Sequence, residues 1–110
     1  MLDKTISELE DRIGKADSIT RKERSALLKL IGELKVEINA LSKTHADEAK
    51  SIAGFAQVAA HEAMRTERNA GLFRIAREGL EKSVEDFELT HPTLVNTIRE
   101  ISDVLSNLGI

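Results

Sequence analysis

The residues best suited to chemistry in this chain are three histidines, His45, His61 and His91, each with a carboxylate nearby in sequence. His61-Glu62-Ala63-Met64-Arg65 comes closest to a catalytic motif. The zinc-protease pattern needs a histidine at both ends, one helical turn apart, so that two imidazoles reach one ion. Arg65 stands at the second position, a permanent cation that repels a metal. What remains is an exposed face on which Glu62 pairs with Arg65 or Thr66. Glu88-Leu89-Thr90-His91 has the Glu-x-x-His spacing of di-iron bundles, but such sites need two of these pairs and two further glutamates on facing helices. The chain carries one copy, and Pro92 places it at a helix boundary, where His91 is expected to serve the cap. His45, followed by Asp47 and Glu48, reads as a solvated helix start.

Other chemistries fall away faster. Gly14-Lys15 ends like a phosphate loop, but Leu9 stands where that loop needs glycine and Ala16 where it needs serine or threonine. The chain has no cysteine, which removes thiolate ligands and a thiol nucleophile. No Gly-x-Ser-x-Gly elbow occurs either. Arg21, Lys22 and Arg24 form one basic cluster, and Arg65, Arg68, Arg74 and Arg77 a second. Both are interleaved with acids (Glu23, Glu67, Glu78) and lack the aromatic platform of single-strand binders. The net charge of −3 and pI of about 5.6 give no basic surface for phosphates. We therefore expect no catalytic, cofactor-binding or metal-binding residue, no enzyme activity and no nucleic-acid partner. The alternative is a small metal- or ligand-binding helical bundle, on the strength of the three histidines.

The elements that would position these residues are all helical. The 110 residues suit one domain, residues 1–110, and one proline with six glycines argues against a turn-rich β fold. Apolar residues recur at spacings of 4 and 3, the period of an amphipathic helix. The stripes are Leu2, Ile6, Leu9, Ile13; then Leu27, Ile31, Leu34, Ile38, Leu41; then Ala49, Ala53, Ala56, Ala60, Ala63; then Phe73, Ala76, Leu80, Val84, Phe87; then Leu94, Ile98, Ile101, Leu105, Leu108. Thr20-Arg-Lys-Glu23 is a capping box, Asn69 a further N-cap, and Pro92 suits a first helical position. Gly14 and Gly109 are expected stops, and Thr44 an expected cap. The pattern predicts an all-α bundle of about five helices at 2–14, 21–42, 46–67, 70–88 and 92–108.

The C-terminal stretch carries a resemblance. Phe87-Glu-Leu-Thr-His91-Pro92, with Leu105-Ser-Asn-Leu-Gly-Ile110 at the end, resembles the bacterial domain of unknown function family 4404. The N-terminal Leu/Ile helix, the polar Ala16-Asp17-Ser18-Ile19 loop and the charged Leu-rich helix are similar to it too. The resemblance covers roughly residues 2–41 and 72–110, with the Ala-rich stretch between as an insertion. It implies a small helical module, with no assigned activity and no functional residues to carry over.

Eight of the twelve alanines fall between residues 49 and 76. If Ala53, Ala56 and Ala60 face inward, Phe55 and Val58 are left outward. An exposed apolar patch of that kind marks an interface, and a symmetric homodimer is the commonest closed solution. Ile52, Phe55, Val58 and Ala59 are therefore the expected interface residues, with coiled-coil-like packing. The chain opens into a charged amphipathic stretch, and its longest uncharged run, residues 51–61, is too short to span a bilayer. A cytoplasmic location, with no membrane partner, is the expectation.

Overall fold

The computed structural model describes residues 2–108 and holds five α-helices. They are α1 (Leu2–Lys15), α2 (Arg21–Ser42), α3 (Ala46–Met64), α4 (Ala70–Ser83) and α5 (Pro92–Asn107), with a 3-10 turn at Glu85–Phe87 before α5. No strand occurs among the described residues. Of the expected stripe and cap positions, the Leu2 side chain and Gly109 lie outside what is described.

The apolar stripes do form the core. Leu27, Ile31, Leu34 and Ile38 on α2, Leu80, Val84 and Phe87 in the fourth segment, and Ile98, Ile101 and Leu105 on α5 are all buried. The alanine stripe of α3 is buried throughout, from Ala49 to Ala63. Helix separation depends on the side chains at the contact, so small residues there let neighbours come close. That is how α3 lies against all four other helices at once. The alanines thus serve the chain's own core.

Helix starts follow the local signals. Thr20 Oγ1 accepts from the Glu23 N–H at 3.1 Å, and the Glu23 carboxylate accepts from the Thr20 N–H at 2.8 Å. Asn69 Oδ1 accepts from the Leu72 N–H at 3.0 Å. Pro92 takes the opening position of α5. The N-cap of α3, however, is His45 rather than Thr44, with no side-chain cap bond.

Helix ends are set from a distance. The last carbonyls of a helix lack intrahelical partners and must find others. On α1 the donor is Arg24, whose Nε reaches Ile13 O at 3.2 Å and whose Nη2 reaches Ala16 O at 2.5 Å. This tie, not a glycine stop, closes α1, which runs through Gly14 to Lys15. On α3, Ser18 Oγ donates to Met64 O at 2.9 Å, and Arg65 turns extended. The helix therefore ends at Met64, three residues short of the predicted 67. On α5, Arg68 donates to Leu105 O at 3.3 Å and to Leu108 O, while its guanidinium lies 4.5 Å over the Phe73 ring. The fourth helix also ends early, at Ser83, where Ser83 Oγ donates to Leu80 O at 2.6 Å. A 3-10 turn then keeps Val84 and Phe87 in the core.

Candidate functional site: an apolar flank on the third and fourth helices

Five residues join α3 to α4, too few for anything but an antiparallel pair. One contact fixes their register. The Phe55 ring rests on Gly79, close enough that a Cβ there would stand 2.6 Å from Phe55 Cε1. Phe55 lies nine residues before the end of α3 and Gly79 nine residues after the start of α4. The hairpin is therefore level along its length, and the turn of α3 holding Val58 lies beside the turn of α4 holding Ile75.

That register assembles an apolar strip outside the core. Phe55 is 41% exposed, Val58 50%, Leu72 45% and Ile75 65%. These values are high for large apolar side chains on adjoining helices; single exposed residues such as Val36 and Leu89 elsewhere need no such account. At one end Arg65 Nη1 donates to the Glu62 carboxylate at 2.8 Å, a polar boundary to the strip. The glycine at position 79 gives the Phe55 ring its seat.

The expected interface residues separate into two pairs. Ile52 and Ala59 are fully covered by the chain itself, so they offer no free surface. Phe55 and Val58 face outward. Leu72 and Ile75 were absent from the expected set. Their signal was present in the sequence: residues 72, 75 and 79 shadow the buried 73, 76 and 80 one position earlier.

The polar candidates resolve differently. His61 is exposed, 3.9 Å from Glu62, and far along α3 from the other two histidines. His45 and His91 come together, their ring centroids 6.2 Å apart. Three of the four arginines of the second basic cluster are taken up inside the chain, while Arg74 is exposed. Arg65 binds Glu62, Arg68 ties down α5, and Arg77 Nη1 donates to Ser106 Oγ at 3.0 Å. A groove of about 600 Å³ opens between the end of α4, the 3-10 turn and α5. Glu78, Glu81, Glu85, Glu88 and Asp103 line it above Val84, Val95 and Ile98, and an Arg99–Glu88 ion pair of 2.6 Å sits in its wall. Among the described residues no group of three or more His, Cys, Asp or Glu side chains is placed to hold a metal. No described helix is long and apolar enough to cross a membrane.

Fold and flank together define a small all-α bundle with an unfilled apolar face on one hairpin. The chain belongs to the DUF4404 family, a domain of unknown function whose model matches residues 2–110. The matched span includes the Ala-rich stretch. No curated protein and no solved structure matches the chain.

Proposed function

We propose that this chain is a non-enzymatic structural or interaction module that pairs with a second copy of itself through the α3–α4 flank. The single observation that carries the reading is the strip of Phe55, Val58, Leu72 and Ile75. All four are large, apolar and exposed, and they lie on adjoining turns of one hairpin. A two-fold operation sets this strip against its own image, matching apolar surface with apolar surface. The strip supplies the hydrophobic centre, and flanking charges such as Glu62 and Arg65 supply a polar rim.

The size of the face sets the expected strength. At 1.5 Å per residue α3 is about 28 Å long, and two helices side by side span about 20 Å. Such a face covers about 550 Å² per copy, near the lower edge of specific interfaces. A face of that size fits a weak, concentration-dependent dimer, formed in the cytoplasm without a membrane or nucleic-acid partner. Sedimentation equilibrium between about 1 and 200 μM tests it. A mass rising from 12.2 kDa toward twice that value is the expected result. A constant 12.2 kDa at every concentration overturns the reading.

A further inference from the structure

We propose that His45 and His91 form a two-imidazole site for a late first-row divalent metal such as Zn²⁺. They are 46 positions apart in sequence and occupy the same local structure twice. Leu41-Ser-Lys-Thr-His45 and Phe87-Glu-Leu-Thr-His91 each carry an apolar residue, two variable positions, then Thr-His. In both, the histidine N–H donates to the carbonyl four residues back at 2.8 Å, to Leu41 O and to Phe87 O. His45 has φ −136° and ψ 64°, and His91 −135° and 62°. Each opens a helix, and each has its Nδ1 beside the hydroxyl of the preceding threonine, at 2.8 Å and 2.9 Å.

The hydroxyl contact decides which nitrogen is available. Thr44 Oγ1 sits 2.8 Å from His45 Nδ1 and 3.4 Å from Leu41 O, so Nδ1 is engaged and Nε2 is the nitrogen left open. When the hydroxyl accepts from Nδ1–H, the neutral ring carries its lone pair on Nε2. His91 Nδ1 is engaged by Thr90 Oγ1 at 2.9 Å in the same manner. Ligating histidines are held like this, with the non-ligating nitrogen bonded to an oxygen that fixes tautomer and ring orientation. Among the described residues the buried side-chain polar atoms without a partner are Arg77 Nε and Ser102 Oγ; neither imidazole Nε2 is among them. Both rings are half-buried, so Nε2 can meet water or an ion.

The ring geometry fits one ion. Two imidazoles bound through Nε2 at about 2.0–2.1 Å put their centroids about 5 Å apart at the tetrahedral angle and about 6.4 Å apart when opposed. The observed 6.2 Å lies near the opposed end of that span, at an N–metal–N angle of about 150°. The buried Phe87 ring packs edge-on against both, at 5.3 Å and 5.4 Å, and holds them as a unit. The helix N-termini oppose a cation here, and Asp47 and Glu48 in the first turn of α3 offset that. With two protein ligands the remaining positions are water, so the site is open. Imidazole ligands favour Zn²⁺, Ni²⁺ and Cu²⁺ over Mg²⁺ and Ca²⁺.

The test uses tag-free full-length protein and Zn²⁺ alone. Calorimetric titration should give one ion per chain, and His45→Ala and His91→Ala should each weaken binding at least tenfold. His61→Ala should leave it unchanged. Ring proton resonances of the wild-type protein give a second readout that needs no variant: Zn²⁺ should shift His45 and His91 together and spare His61. No binding up to millimolar Zn²⁺ overturns the site. So does binding that survives loss of either histidine, or a response confined to His61.

Discussion

On α3, the side chains at 49, 53, 56, 60 and 63 are alanines enclosed by other helices, whereas about a third of a turn away at Phe55, and about half a turn away at Val58, the helix meets solvent. The two faces of one helix thus carry opposite allocations of size. Where the chain is most crowded it uses its smallest apolar residue. Where it has free space it places a phenylalanine and a valine, and α4 adds Leu72 and Ile75 beside them. The inner face exists for the fold of one chain. The outer face does little for that fold, since its residues leave much of their surface in water. A difference of this kind separates folding from the association proposed for this flank, and substitutions can act on either side of it.

The largest effect is expected on the inner face. Ala56→Leu adds three carbons where α3 has no room, and overpacking of this sort costs about 1–3 kcal/mol. Thermal unfolding followed by circular dichroism should show a melting temperature lower by about 5–15 °C. An unchanged melt would mean that the alanine face is not closely packed, and the contrast between faces would disappear.

The next effect lies at the end of the hairpin. Arg68→Ala removes charge-assisted bonds to the last carbonyls of α5 and the cation over Phe73, together worth about 2 kcal/mol. Denaturant unfolding should show that loss with an unchanged slope. A loss below about 0.5 kcal/mol would make the Arg68 contacts incidental.

The smallest effect should fall where the faces meet. Gly79→Ala gains about 1 kcal/mol of helix propensity but pushes the Phe55 ring off its seat. Stability should change by less than about 1 kcal/mol, while self-association weakens severalfold by sedimentation. Association unaffected by the moved ring would sharpen the interface to Val58, Leu72 and Ile75.

How much of this was legible depends on how local each cause is. The core stripes were readable because burial repeats along each helix with the helical period; Leu27 to Leu41 and Leu94 to Leu108 are buried as spaced. Helix starts at Thr20, Asn69 and Pro92 were readable because the capping group sits within three residues of what it caps. Helix ends were not. Ser18 ties Met64 O across 46 positions and Arg24 reaches back to Ile13 O, and no local pattern announces either. Gly14 drew attention as a stop for α1 when the real agent was an arginine on the next helix.

The candidate site was half legible. The outward placement of Phe55 and Val58 follows from the alanine stripe, but Ile52 and Ala59 were grouped with them although the bundle closes over both. Leu72 and Ile75 were hidden one position off a stronger stripe. The Thr-His turn at 44–45 and 90–91 repeats too briefly to stand out until the fold sets the two rings side by side.

The central claim is that the outer flank joins two chains while the inner face folds one. Sedimentation equilibrium of the wild-type protein beside Ile75→Asp tests it most directly, because Ile75 is the most exposed member of the strip. The account predicts a concentration-dependent dimer for the wild type. It predicts a 12.2 kDa monomer for Ile75→Asp, with a melting curve at low concentration that matches the wild type. A wild-type monomer at every concentration, or a dimer that Ile75→Asp leaves intact, would contradict it.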